Sequence, residues 1–195
     1  RSETSNALDK LFVRNISTGK EEELVFSNET VYVPNISLKQ RDRNTDNIYV
    51  GYSSPKTPSR VYSYNLLEKS KKLVKEQKIP SGHNPDNYIV ERIEYKSHDD
   101  RMVPLTIIRN KKTKINGSAN LLLYGYGSYG NSMSPSFSSI KLSLIDRDII
   151  WATAHVRGGL EKGMKWWKEG KLTNKKNTFE DYIYAAKYLI EKKYT

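Results

Sequence analysis

The chain has 195 residues, with 33 Lys and Arg against 22 Asp and Glu, so its formal net charge is +11. This length suits one ordinary domain or two small ones and excludes a complete large multidomain enzyme. Aromatic residues make up 11% of the chain, which excludes a wholly disordered polymer, because disordered chains are poor in core-forming aromatic side chains. The absence of Cys excludes disulfides, thiolate metal sites and a Cys nucleophile.

Charge and hydropathy also bear on location and partners. There is no run of 18 apolar residues, and the first twenty residues are charged and lack an apolar signal core, so neither a membrane span nor a secretory signal is predicted. Without Cys, this pattern predicts a reducing compartment, the cytoplasm. The basic residues are scattered among acidic ones rather than gathered in blocks, which disfavours nucleic acid as a partner.

Residues 1–77 are predicted to form antiparallel β-sheet. Short segments that mix β-branched, aromatic and polar residues alternate with turn signals such as Thr18–Lys20 and Asp42–Asn44. The predicted strands are Leu11–Ile16, Glu23–Phe26, Val31–Leu38, Asn47–Ser53, Arg60–Leu66 and Lys72–Lys75. Strands of this length and spacing are typical of a meander, a sandwich or a propeller blade.

Residues 78–87 are predicted to be a linker, because Pro, Gly, Asn and Asp dominate this stretch. After it the apolar segments become longer. The predicted strands are Tyr88–Lys96, Met102–Arg109, Leu121–Tyr124 and Ile149–Ala154, with a helix over Ser138–Arg147. Apolar strands flanked by helices predict a parallel sheet covered on both faces. Asp99 and Asp100, in the turn between the first two strands, are expected to be solvated.

A last helix is predicted to begin at Asn177. Asn177 would be the N-cap, and Glu180 three residues later would complete a capping box. The apolar residues at helical spacing predict the buried face: Phe179, Ile183, Ala186, Leu189 and Ile190.

Few motifs of known chemistry are present. The chain has no Gly-x-Ser-x-Gly elbow, P-loop, HExxH or EF-hand loop, so neither a cofactor nor a metal site is predicted. Among the three His, His83 and His98 are expected at the surface. His155 follows an apolar strand, where a structural role is favoured over a catalytic one.

Two glycine-rich segments follow apolar strands and suggest a cleft above the sheet. In Tyr124–Gly130, a Tyr hydroxyl is a reasonable donor to a developing oxyanion, although composition alone favours a tight turn with aromatic packing. In Arg157–Gly159, the guanidinium could bind a carboxylate of a substrate or fix the loop through backbone carbonyls.

Together these segments resemble the prolyl oligopeptidase family of serine peptidases in order and spacing, in the form most similar to its oligopeptidase B (protease II) branch. The segments that carry the resemblance are Leu121–Gly130, Leu142–Arg147, Ala154–Gly159, Gly170–Lys171 and Lys176–Asp181, with Tyr52–Ser54, Thr57–Tyr62 and Glu91–Ile93 upstream. The resemblance therefore covers nearly the whole chain.

The resemblance implies a seven-bladed β-propeller joined to an α/β-hydrolase domain. Residues 1–77 would be the last part of the propeller, 78–87 the linker, and 88–195 the start of the catalytic domain, truncated before the nucleophile. It implies hydrolysis of peptides with basic residues, after Lys or Arg, by acyl transfer. None of the Ser-Asp-His triad carries over to this chain, which is therefore expected to be inactive alone. The implied oxyanion donor is Tyr126.

Two features depart from the family pattern. Two Asp residues that help bind a basic substrate side chain are replaced by Ser134 and Ser136, so a preference for paired basic residues does not carry over. A usual Gly is replaced by Leu160, which would be strained if that position needs a positive φ.

Two alternatives stay open at the level of sequence. The chain could be one half of a split enzyme whose complementing chain carries the triad. It could instead be a basic module for nucleic acid or anionic lipid, with a binding affinity that falls steeply with salt. An unfinished sheet edge also predicts marginal stability and aggregation.

Overall fold

The computed structural model describes residues 2–36 and 44–195, which form three sheets and three α-helices. The first sheet is antiparallel and has three strands in chain order: β1 (Ser2–Ser5), β2 (Leu8–Arg14) and β3 (Glu21–Glu23). The predicted strand over Leu11–Ile16 thus begins and ends earlier in the structure.

The second sheet is an antiparallel meander, as the alternating pattern predicts. Its strands, in chain order, are β4 (Val33–Ile36), β5 (Asn47–Ser53), β6 (Arg60–Asn65) and β7 (Lys71–Glu76). The two sheets share one core of Leu11, Leu24, Phe26, Val50, Tyr52 and Tyr64. Both are consistent with propeller blades. Leu38, the predicted end of a strand, and Asp42 and Arg43 of the predicted turn lie outside the described residues.

The third sheet lies beyond residue 87. Its strands are β8 (Tyr88–Lys96), β9 (Met102–Asn110), β10 (Leu121–Tyr124) and β11 (Ile150–Ala154), in the spatial order β10-β11-β9-β8. The prediction of a parallel sheet is wrong except for the pair β10–β11. The tight turn between β8 and β9 forces those strands to run antiparallel, and β9 then pairs antiparallel with β11.

Helices cover both faces of this sheet, as predicted. On one face, Ala185 and Leu189 of α3 (Lys176–Glu191) pack on Leu105 and Ala152. On the other face, Leu142 and Ile145 of α1 (Ser139–Ile145) pack on Ile108 and Tyr88. The short helix α2 (Met164–Lys168) places Trp166 in the first of these cores. Within the described residues, no helix is long and apolar enough to cross a membrane.

The start of α3 differs from the predicted capping box. The helix begins at Lys176, and the Asn177 side chain donates instead to the carbonyl oxygen of Glu169, 2.9 Å away. The prediction of Asn177 as N-cap is therefore wrong.

The buried face of α3 is also not the predicted one. Thr178, Asp181, Ala185 and Leu189 are buried, whereas Phe179, Ile183 and Ile190 are exposed and Ala186 is half-buried. Of the predicted stripe, Leu189 alone is confirmed as buried. The helix turns these polar residues, and not the predicted apolar stripe, toward the core, because Thr178 and Asp181 bind the loop after β11.

Candidate functional site

The Tyr-Gly loop (Gly125–Gly130) begins at the carboxyl end of β10. Because β10 and β11 are parallel, this loop and the segment after β11 leave the sheet at the same edge. The two loops are joined by a hydrogen bond of 3.0 Å from the Gly130 N–H to the Gly158 carbonyl. This contact brings the two loops together. The cleft that the sequence suggested above them stays a prediction.

Glycine backbones touch where the two loops meet. A Cβ on Gly158 would overlap the Gly127 carbonyl, and a Cβ on Gly170 would overlap the Gly158 nitrogen. Gly127 and Gly158 also have positive φ values, +60° and +103°, which L side chains rarely adopt. These positions accept only glycine without a shift of the backbone.

Side chains from the start of α3 hold the Tyr-Gly loop. The Lys175 Nζ donates to the Gly127 carbonyl oxygen at 2.5 Å and to the Ser128 Oγ at 2.7 Å. The Tyr182 hydroxyl donates to the Leu123 carbonyl at 2.7 Å, near the end of β10. The helix side therefore holds the middle of the loop and the strand that leads into it.

Arg157 is buried and makes ion pairs with two acids. Its Nε and Nη2 donate to Asp181 at 2.9 and 2.6 Å, and its Nη1 and Nη2 donate to Asp99 at 2.6 and 3.0 Å. The Arg157 backbone N–H also donates to Asp181, at 2.9 Å. Each guanidinium nitrogen is thus engaged within the chain. The side chain therefore fixes the loop through carboxylates, and not through the backbone carbonyls that the sequence suggested. Its engaged nitrogens argue against Arg157 as a substrate ligand.

The charges in this cluster stabilise one another. Burial disfavours the charged guanidinium, but hydrogen bonds and attraction to Asp181 and Asp99 outweigh it and raise the pKa of Arg157. Burial raises the pKa of Asp99, but Arg157 outweighs that effect and holds the pKa below its usual value. The Ser97 hydroxyl completes the cluster by donating to Asp181 at 2.6 Å.

Sequence reasoning missed both acids of this cluster. Asp99 is exposed, as predicted, but Arg157 reaches the hairpin turn and pairs with its carboxylate, which is about one-third exposed. The spacing of Thr178, Asp181 and Ala185 at three and four residues is a helical period that would have placed Asp181 on the buried face. A buried Arg nearby supplies the reason for a polar residue on that face.

The segment after the Tyr-Gly loop carries the two predicted substrate-binding serines. Its backbone is anchored where Met133 N–H donates to Glu161 and Phe137 N–H donates to Ser53, both at 3.0 Å. Ser134 is exposed, whereas Ser136 is half-buried.

Ser136 lines a small cavity of about 20 Å³, enough for roughly one water molecule. Lys141 and His155 line the same cavity. Burial lowers the pKa of Lys141. A cationic side chain at this position would repel a second basic group, so the cavity does not suit the basic side chain of a substrate.

The three His lie apart from one another. His155 is fully buried, with Nε2 2.9 Å from the Thr106 Oγ1. Burial, and then the charges of Arg92 and Lys141, hold its pKa well below the usual range. His83 is half-buried, with its ring stacked on Tyr88, and His98 is exposed as predicted.

Ser97 and His98 form a Ser–His contact of 3.2 Å. Ser97 is buried and its hydroxyl hydrogen is already donated to Asp181, so the pair does not fit a nucleophile and its base. Across residues 2–36 and 44–195, no three His, Cys, Asp or Glu side chains are grouped to hold a metal ion.

Comparison with known proteins identifies the group to which this arrangement belongs. Residues 135–195 match the model of the prolyl oligopeptidase family. The chain is 36% identical over 194 residues to dipeptidyl aminopeptidase BI of Pseudoxanthomonas mexicana, covering 99% of the chain and 26% of that relative. It is 35% identical over 158 residues to protease 2 of Moraxella lacunata, covering 81% of the chain and 23% of that relative.

The chain belongs to the prolyl oligopeptidase family. The structure of oligopeptidase B from Trypanosoma brucei with covalently bound antipain aligns with a TM-score of 0.89 and 31% identity, over 98% of this chain and 28% of that one. The chain therefore spans about a quarter of the length of the curated relatives it matches.

Two further positions of the family motifs, Tyr126 and Leu160, lie in the two loops. Tyr126, next to the fixed Gly127, is 41% exposed, and Tyr129 is 87% exposed. Leu160 does not have a positive φ, whereas Gly158, two residues earlier, does. The strain predicted at Leu160 is therefore absent.

Proposed function

We propose that the protein is a serine oligopeptidase that hydrolyses peptides after Lys or Arg, with Tyr126 as a hydrogen-bond donor to the oxyanion. One observation carries the proposal: a half-exposed tyrosine stands on a fixed loop at the carboxyl end of a parallel strand pair. Ligands of α/β proteins bind at that edge. A donor fixed before the reaction stabilises the developing charge without reorganising.

The domain arrangement forms part of the same proposal. Residues 1–77 would be the last part of the β-propeller, 78–87 the linker, and 88–195 the start of the α/β-hydrolase domain. Two antiparallel sheets before residue 78, and helices on both faces of the sheet after residue 87, support this division. The peptidase names of the relatives support the class of reaction.

The proposal assigns the Ser-Asp-His triad to chain outside these 195 residues, because they contain no Gly-x-Ser-x-Gly elbow. A fluorophosphonate probe should therefore leave the 195-residue chain unlabelled. Labelling of one Ser per chain would contradict this assignment.

The role of Tyr126 is tested by Tyr126→Phe in the full-length protein. Loss of one oxyanion donor typically lowers kcat by about 10²–10³-fold, and a loss of that order is expected for hydrolysis of an Arg amide substrate. Tyr129→Phe is the matched control, since it removes a hydroxyl from an exposed side chain of the same loop. Equal kcat values for the two variants would remove Tyr126 from the reaction.

We further propose that Ser134 and Ser136 contact the substrate without selecting a second basic residue. A hydroxyl offers no charge to a Lys side chain, and Lys141 lies beside the cavity that Ser136 lines. Values of kcat/KM should be similar for substrates in which the residue paired with the cleaved Lys or Arg is Lys or Ala. A strong preference for Lys would contradict this expectation.

A further inference from the structure

We infer that Lys175 is a positioning residue for Tyr126, an inference that rests on the oxyanion role proposed above. The Lys175 Nζ lies between two acceptors of the Tyr-Gly loop, 2.5 Å from the Gly127 carbonyl oxygen and 2.7 Å from the Ser128 Oγ. Both contacts fall within two residues of Tyr126. Neither contact reaches Tyr126 itself, so Lys175 acts through the backbone.

The chemistry of the two contacts suits an ammonium group. Lysine offers three donors and no acceptor, so a single Nζ can bridge a carbonyl and a hydroxyl oxygen at once. Hydrogen bonds from a charged donor are stronger than those between neutral groups. Burial lowers the pKa of Lys175. Among the described residues, its Nζ donates to two oxygens of the loop and to no carboxylate.

The loop needs such a clamp because its own sequence does not fix its conformation. Glycines at positions 125, 127 and 130 leave the backbone many alternatives. The neighbouring contacts hold other points: Tyr182 binds the end of β10, and Gly158 accepts from Gly130. Lys175 holds the peptide unit directly after Gly127. A displacement of about 1 Å at a catalytic group can cost about 10²-fold in rate.

The first test compares Lys175→Met with Lys176→Met in the full-length protein. Met preserves side-chain length and helix propensity while removing the ammonium group. Lys176 is the neighbouring residue, with a side chain 83% exposed and a long 3.9 Å contact to Glu180, so its replacement controls for the loss of one charge. We expect Lys175→Met to lower kcat about tenfold with little change in KM, and Lys176→Met to leave both unchanged.

Two further variants separate positioning from general stability. Lys175→Arg keeps a cationic donor within reach of both oxygens and should recover part of kcat. Ser128→Ala removes one acceptor without altering the lysine, and should lower kcat less than Lys175→Met does. In a Tyr126→Phe background, Lys175→Met should have no further effect on kcat, because two residues that act through one donor are not additive.

Hydrogen exchange measures the clamp independently of activity. The amides of Gly130 and Asn131 are hydrogen-bonded in the fixed loop. Their exchange should become roughly tenfold faster in Lys175→Met and stay unchanged in Lys176→Met. Unchanged exchange in Lys175→Met, or a full kcat effect in the Tyr126→Phe background, would overturn the inference. A Tyr126→Phe variant with unchanged kcat would instead overturn the proposed function, and faster exchange in Lys175→Met would still support the clamp.

Discussion

At the scale of single residues, Asp181 is the side chain on which the loop after β11 depends. It is fully buried and accepts from the Arg157 backbone, the Arg157 guanidinium and the Ser97 hydroxyl. Removing two charges from water is costly, and a buried ion pair offsets that cost only when further hydrogen bonds satisfy both groups. These contacts meet that condition.

Replacing Asp181 by Asn should destabilise the fold strongly. The substitution leaves Arg157 buried with only the partly exposed Asp99 to balance it, and breaking a buried pair costs about 3–5 kcal/mol. Asp100→Asn is the control, because Asp100 lies in the exposed hairpin turn with a side chain 85% exposed. Urea unfolding of the two variants measures the difference. A loss below about 1 kcal/mol for Asp181→Asn would contradict the structural role.

Asp99 should make the free energy of unfolding depend on pH. Its pKa is lowered in the folded state, because Arg157 outweighs the effect of burial. The carboxylate therefore contributes stability above its unfolded pKa of about 3.9, and this contribution is lost as the pH falls through the lower folded value.

Urea midpoints of wild type and Asp99→Asn should differ at pH 6 and converge as the pH falls below about 4. Since the carboxylate is one-third exposed, solvent screening limits the difference in unfolding free energy between wild type and variant to about 1 kcal/mol. A difference that grows on acidification would contradict this prediction.

At the scale of elements, glycines allow direct backbone contact between the two loops and the end of α2. Gly127, Gly158 and Gly170 let three backbone segments approach one another closely. A conformation with positive φ costs about 1–2 kcal/mol for an L residue, and the close contacts add the cost of moving backbone atoms.

Gly158→Ala should therefore be far more costly than Gly82→Ala. Both glycines have positive φ, but an alanine Cβ at Gly82 would meet nothing within 4 Å, whereas at Gly158 it would overlap the Gly127 carbonyl. The expected losses are about 1 kcal/mol for Gly82→Ala and at least about 3 kcal/mol for Gly158→Ala. Thermal or urea unfolding gives both values, and equal losses would show that backbone contact is unimportant.

At the scale of the whole molecule, contacts join the first two sheets to the third. The Ala7 N–H donates to the Glu161 carbonyl at 2.7 Å, the Arg92 guanidinium donates to the Asn6 carbonyl, and Ser53 accepts from Phe137. The positive charge is spread over the surface, where several basic residues have acidic partners, among them Lys10 with Glu23 and Lys69 with Glu22. This distribution does not favour a nucleic-acid or lipid surface.

In the described chain, the third sheet ends at β10, which pairs with β11 alone. Phe179, Ile183 and Ile190 of α3 are 61%, 46% and 62% exposed. An unpaired strand edge and exposed apolar side chains both promote association between chains. The 195-residue chain should therefore self-associate as its concentration rises.

Ile183→Lys should reduce this association, as measured by sedimentation equilibrium. Leu67→Lys is the matched control, because it adds the same charge at an exposed apolar residue in the turn after β6. A wild-type chain that stays monomeric, or equal association of the two variants, would contradict the prediction.

The elements whose patterns are local could be predicted from the amino-acid sequence. The hairpin of β8 and β9, the apolar strands β10 and β11 and the helix α1 lie within a residue or two of their predicted bounds, because alternation and apolar runs report directly on strand burial. The motifs also determined the family, since Tyr-Gly-Tyr-Gly, Arg-Gly-Gly and Asn-Thr-Phe in that order are specific in combination.

Which polar residues turn inward depends on contacts between segments that are far apart in the chain. The apolar stripe of α3 predicted its buried face wrongly, because Arg157, nineteen positions before Lys176, requires Asp181 inside. The roles of Asp99 and Lys175 depend in the same way on segments distant in the chain. A buried charge selects its partners by position in space, and local hydrophobic periodicity carries no information about that choice.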